Sequence, residues 1–235
     1  MSKPPGYDIG SIHVSEYNIV ARTLLLDLDG TLVDTVPDLA AALNRLMASR
    51  DLPPFTHSET AGMVGDGVAR LVEKAFAARG RMPDATAIGV FSADYAAHAA
   101  VESRLYPGVE ATLSSLADEG WRLAVCTNKP EGAARSLLEA LGLARFMAAV
   151  GGGDSFPVRK PDPAHMTATL LAAGGTADRA VMAGDHANDV VAAHGAGLPC
   201  IFAAWGYGPV SMAEGAAAVA RDMAEMAGIA RRLVP

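Results

Sequence analysis

The chain has 235 residues, 51% hydrophobic and 19% charged, with a mean hydropathy of +0.22, which suits one large domain or one domain with a substantial insertion around a well-filled core. Nineteen basic against 26 acidic residues leave a net charge of −7 and a pI near 5.3, and no Lys/Arg cluster tracks a phosphodiester backbone. That balance excludes a general nucleic-acid binder, while a small anionic ligand held by local groups stays compatible with it.

Residues 1–22 form a turn-rich extension without the basic-then-apolar order of a signal peptide, and no apolar run is long enough to span a bilayer, so no membrane partner is expected. Cys126 and Cys200 are the only cysteines and no CxxC spacing occurs, which points to a reducing cytoplasm. From Thr23 to Leu26 a short apolar run reads as a buried parallel strand. After Pro37, placed for a first helical turn, "DLAAALNRLMASR", "VARLVEKAFAARG" and "ATAIGVFSADYAAHAAVESR" carry helical periodicity. Three helices without a convincing strand are thus expected between residues 36 and 103.

At "YPGV" (106–109) the pattern changes to alternation. A helix over 109–119, the strand "RLAVCTN", a helix over 131–142 and the strand "FMAAVGGG" follow one another. Then come the helix "DPAHMTATLLAAGG", the strand "RAVMAGD", the helix "NDVVAAHGAG" and the strand "PCIFAAW". Such alternation predicts a doubly wound α/β domain with a parallel sheet. Its expected extent is residues 1–35 and 104–235, with an all-helical cap, 36–103, inserted after the first strand.

Ligands of open parallel sheets bind beyond the carboxyl ends of the strands, and here those ends are polar. The first delivers Asp27 and Asp29, the second Thr127 and Asn128, and a third Asp185, followed by Asp189; Lys160 stands before a proline-framed helix start. Four neighbouring carboxylates with one ammonium repel one another unless one is protonated or a cation joins them. Oxygen ligands of this kind suit Mg²⁺, and Thr127 and Lys160 suit phosphate oxygens. Alternation along an extended segment sends Asp27 and Asp29 to the same side, where one carboxylate can attack phosphorus and the other move a proton. Gly30 lets the chain turn sharply away and bring backbone amides near a ligand.

"DLDGTLVDT", "CTN", "KPDP" and "GDHANDV", in this order and context, resemble the four motifs of the haloacid dehalogenase superfamily, over nearly the whole chain after residue 22. The resemblance implies a Rossmann-like core in which Asp27 is nucleophile and metal ligand. It further implies Asp29 as general acid/base with its carbonyl on the metal, Thr127 and Lys160 on the phosphate, and Asp185 and Asp189 as metal ligands. His186 stands where the family often has Ser. An acid at position 29 favours phosphate monoesters over halocarbon or phosphonate cleavage.

The cap stretch "GMVGDGVARLVEKA" is similar to that of phosphoglycolate phosphatases. This implies a loop of Gly65, Asp66 and Gly67 closing over the site, with Arg70 meeting a substrate carboxylate. A small phosphorylated metabolite, foremost 2-phosphoglycolate, is therefore the expected substrate and Mg²⁺ the expected cofactor. A phosphosugar mutase of the same superfamily and a catalytically idle phosphate-binding protein stay open as alternatives, as does the oligomeric state. In isolation, Arg70 reads as a solvated helix residue and Thr127 as the cap of a turn. The six histidines lack the ligand spacing of a zinc site.

Overall fold

The computed structural model describes residues 21–235, so the expected N-terminal extension falls almost wholly outside the described residues. Six parallel strands form the sheet: β1 (Thr23–Leu26), β4 (Arg122–Cys126), β5 (Met147–Gly151), β6 (Ala180–Gly184), β7 (Cys200–Ala203) and β8 (Ala218–Ala220). They lie in the order β5-β4-β1-β6-β7-β8, so β1 is central, paired with β4 on one side and β6 on the other.

The "LLL" run of β1 is apolar throughout because both of its faces are covered. Leu24 and Leu26 join one buried cluster, with Leu113 of α5 (Val109–Asp118), Leu137 of α6 (Glu131–Ala140) and Met226 of α9 (Met223–Leu233). Leu25 joins another, with Met166 of α7 (Pro163–Ala172) and Val190 of α8 (Ala187–Gly195). The doubly wound sheet expected from the sequence is thus present. The chain leaves β1 toward β4 but leaves β6 toward β7, which opens a crevice at the carboxyl ends of β1 and β6.

Between β1 and β4 come α1 (Val36–Ala48), α2 (His57–Ala61), α3 (Val68–Ala78) and α4 (Ala87–His98). They surround an apolar cluster of their own, including Leu39, Leu43, Leu46, Val72, Phe76 and Phe91. Periodicity predicts three helices here, and the fourth, α2, is too short to show a period. Its signal is local: Thr56 accepts from the Glu59 amide while Glu59 accepts from the Thr56 amide, a reciprocal capping box.

No strand falls between residues 36 and 103; β2 (Val33–Asp34) and β3 (Arg104–Leu105) lie just outside that block and pair antiparallel where the chain enters and leaves it. The buried Asp38 carboxylate of α1 straps the returning connection, accepting from the amides of Glu102 and Ser103 at 2.9 Å and the Ser103 hydroxyl at 2.6 Å. β8 and α9 close the far edge; three Ala/Val residues carry too little pattern to announce β8 in the sequence. Among the described residues, no helix is long and apolar enough to cross a membrane.

Candidate active site

Ladder pairing continues one residue beyond β1, since the Asp27 amide donates to the Ala183 carbonyl at 2.9 Å, and this holds the Asp27 carboxylate over the crevice. One oxygen each from Asp27, Asp185 and Asp189 gather within 4.8 Å of one another, all three residues buried. Lys160, 2% exposed, reaches the cluster from before α7. Its Nζ donates to Asp189 Oδ1 and to the Cys126 carbonyl, both at 2.6 Å, and lies 3.0 Å from Asp27 Oδ1.

Three carboxylates face one ammonium. Burial pushes the Asp27 carboxyl up to about 6, with Lys160 opposing and Asp189 and Asp29 adding to the rise. Asp185 is pushed up to about 7 by burial and by the charges of Asp27 and Asp189. Burial pulls Lys160 down, yet Asp189 and Asp27 hold it well above the ordinary lysine range. The ammonium is a fixed cation, and the carboxylates carry the site's unmet charge.

The ends of the crevice are tightly held. Asp185 accepts from the Thr31 hydroxyl at 3.1 Å and the Tyr207 amide at 2.7 Å. Asp189 accepts from the His186 amide at 3.0 Å, and His186 in turn caps α8. Gly30 has φ +88°, and a Cβ there would collide with the Asp185 carboxylate and with the Tyr207 ring. Its own amide donates to the Val33 carbonyl at 2.9 Å, and its missing side chain makes room for Asp185.

A divalent cation fits this arrangement. The donors are carboxylate oxygens only, and three buried carboxylates face the single Lys160 ammonium, so their charge exceeds what it can offset. The Asp29 side chain is not in this group. It accepts from the Thr35 hydroxyl at 2.8 Å and from Lys129 Nζ at 3.0 and 3.3 Å.

Beside Asp27 and Asp29, a cavity of about 230 Å³ separates the sheet edge from α3 and α4. Thr127, Asn128 and Lys129 line it from below, and Gly65, Gly67, Leu71, Phe91 and Tyr95 from above. Thr127 Oγ1 accepts from the Lys129 amide at 3.2 Å, so it holds the turn while facing the cavity. The Asn128 amide group is spent on two carbonyls, Gly65 at 3.0 Å and Lys160 at 2.9 Å. Asn188 of α8 donates to the same Gly65 carbonyl at 2.8 Å. The Gly65 loop therefore docks through its backbone, close against the His186 ring, where no Cβ fits.

The remaining residues of the helical block singled out in the sequence, Asp66 and Arg70, fall outside the cavity lining. Asp66 pairs with Lys74 at 2.7 Å, and exposed Arg70 pairs with Glu73 at 2.6 Å, one turn along its own helix. A long side chain on an outer helix face meets its i+3 neighbour more readily than a pocket below it. Sequence reasoning also passed over Lys129, Tyr95, Asn188, Thr31, Thr35 and Tyr207. For Lys129 a signal existed, as it follows "CTN" directly; the others are brought in only by packing.

A family model for haloacid dehalogenase-like hydrolases matches residues 21–197. A phosphoglycolate phosphatase from Rhodospirillum rubrum is 44% identical over 214 residues, covering 87% of this chain and 89% of the relative. One from Agrobacterium fabrum is 44% identical over 194 residues, covering 81% and 83%. Among solved structures, a predicted phosphoglycolate phosphatase from Haemophilus somnus superposes with a TM-score of 0.81 at 29% identity, covering 89% of this chain and 97% of the other.

Proposed function

This chain belongs to the haloacid dehalogenase-like hydrolases and is a phosphoric monoester hydrolase, and from that premise we propose that it hydrolyses 2-phosphoglycolate with Mg²⁺ as cofactor. The observation that carries the mechanism is Asp27 at the centre of the crevice, between Lys160 and the two further buried carboxylates. Residues 36–103 act as a cap over that centre.

Asp27, Asp185 and Asp189 would hold Mg²⁺, which supplies positive charge against the phosphoryl oxygens. An Asp27 oxygen attacks phosphorus, and the bond to the glycolate oxygen breaks as an aspartyl-phosphate forms. Asp29 donates a proton to the departing alkoxide, then takes one from the water that hydrolyses the acyl phosphate. Asp27 is thereby regenerated and inorganic phosphate leaves. Lys160 keeps its charge throughout, and the Thr127 hydroxyl faces the cavity where the transferring group would pass. Such positioning and charge compensation are the main sources of rate in phosphoryl transfer. The substrate reading is supported by the names of the relatives and by a cavity sized for a small acid.

The test is phosphate release with Mg²⁺ from 2-phosphoglycolate, sugar phosphates, nucleotides and pyridoxal phosphate, comparing wild type with Asp27→Asn. We expect selective turnover of 2-phosphoglycolate that falls by about a thousandfold or more in the variant, with its melting temperature preserved. Near wild-type activity in Asp27→Asn sinks the mechanism, and preference for another phosphate sinks the substrate. A requirement for a bisphosphate indicates a mutase.

A further inference from the structure

Lys129 lies outside the carboxylate trio and has no part in the steps above, yet it is only 5% exposed at the floor of the cavity. Its Nζ donates to both oxygens of Asp29, at 3.0 and 3.3 Å, and to the Tyr95 hydroxyl of α4 at 2.9 Å. The same ammonium lies 4.5 Å from the centre of the Tyr95 ring, which adds a cation–π contact. Burial works against its charge, but the Asp29 carboxylate and Tyr95 hold the lysine above its ordinary range, so it is a permanent cation. The Thr35 hydroxyl fixes Asp29 from the other side at 2.8 Å. Asp29 is thus clamped between Thr35, where the chain enters α1, and a lysine that itself touches the cap.

We infer that Lys129 is a positioning residue for proton transfer: it aims the Asp29 carboxyl at the leaving-group oxygen, and Tyr95 ties that aim to the seating of the cap. The inference rests on Asp29 acting as the acid/base of the proposed reaction. A carboxyl that must donate to one oxygen and later accept from water gains from a fixed rotamer, since proton transfer demands hydrogen-bond reach in both steps. Lys129 is also the one cationic residue lining the cavity among the described residues. The competing role is therefore direct recognition of a substrate carboxylate.

Three small substrates separate these roles. Acetyl phosphate and ethyl phosphate are close in shape, but acetate departs without a proton and ethoxide does not. The third substrate, 2-phosphoglycolate, adds a carboxylate to an alkyl leaving group. The parameter is kcat/KM, which reports events up to the first irreversible step and so isolates leaving-group departure from hydrolysis of the acyl phosphate.

In Lys129→Met, kcat/KM for ethyl phosphate and for 2-phosphoglycolate should fall together by about a hundredfold, and that for acetyl phosphate by about tenfold less. Tyr95→Phe keeps the ring and removes the hydroxyl, and should move the same ratio in the same direction by roughly threefold. Equal losses on acetyl and ethyl phosphate in both variants overturn the inference, as they mark a merely structural contact. A loss confined to 2-phosphoglycolate also overturns it and assigns Lys129 to the substrate carboxylate. If wild type releases phosphate from none of the three, the proposed reaction itself fails, which the wild-type controls show independently of either variant.

Discussion

The strand-end cluster and the helical block between β1 and β4 treat their charged residues in opposite ways. At the sheet edge, Lys160 meets Asp27 and Asp189 across elements far apart in sequence, at 3.0 and 2.6 Å. In the helical block, Arg70 pairs with Glu73 within α3, and Asp66 pairs with Lys74 of the same helix. The helical block reaches the site instead through uncharged groups: the Gly65 carbonyl, held by Asn128 and Asn188, and the Tyr95 hydroxyl on Lys129. Parallel pairing leaves a strand-end side chain one place to go, the shared crevice. A side chain on an exposed helix face has solvent and its own helix as alternatives, so charge there carries little information about the site.

The contrast is broken most severely by removing the cation that the core cluster shares. Lys160→Met leaves Asp27 and Asp189 buried without it, and should cost about 3–5 kcal/mol in the metal-free protein, read by denaturant unfolding near pH 7. An unchanged midpoint would mean that the cluster is far wetter than its burial indicates.

A pH series probes the same cluster without mutation. The folded-state values of Asp27, about 6, and Asp185, about 7, lie above the ordinary carboxylate value of 3.8. Below about pH 4 both carboxyls are protonated, folded or unfolded, and neither affects stability. As pH rises from about 4 to 7, the unfolded chain ionises freely while the folded one resists, so the metal-free protein loses stability. Mg²⁺ requires the ionised form, so its stabilisation should be small at pH 5 and largest above pH 7. With Mg²⁺ at about a hundredfold above Kd, linkage gives about 2.7 kcal/mol, and roughly 5–10 °C in Tm at this chain length. A shift independent of pH would show that these two carboxyls are not the ligands.

Asn188→Ala tests the backbone docking of the Gly65 loop. Losing one of the two amides on the Gly65 carbonyl should weaken closure by about 0.5–1.5 kcal/mol, seen as a roughly two- to tenfold rise in KM for 2-phosphoglycolate. The smallest effect belongs to Arg70→Ala, expected within about twofold of wild-type kcat/KM because its ion pair with Glu73 is exposed. A large KM effect there would mean that Arg70 swings into the cavity when substrate arrives, and would reverse the contrast.

Sequence alone was enough for the parallel sheet and for the gathering of Asp27, Lys160, Asp185 and Asp189. Apolar runs of four or five residues ending in polar ones specify buried strands, and the sheet then brings all the strand ends to one edge. It did not determine the partners of Asp29, because alternation places Asp29 on the side of Asp27 but says nothing of Lys129 and Thr35, whose hold on its carboxylate only the fold shows. Nor did it determine that Gly30 serves Asp185, that Asn128 holds the cap loop, or that Tyr207 fixes a carboxylate with its amide while its hydroxyl binds the start of α1. Apart from Thr35 on Asp29, six positions away, these contacts join residues from 22 to more than a hundred positions apart, and periodicity reports only on neighbours within a turn or two. Local pattern chose the elements and put the acids at their ends; packing chose the partner of each.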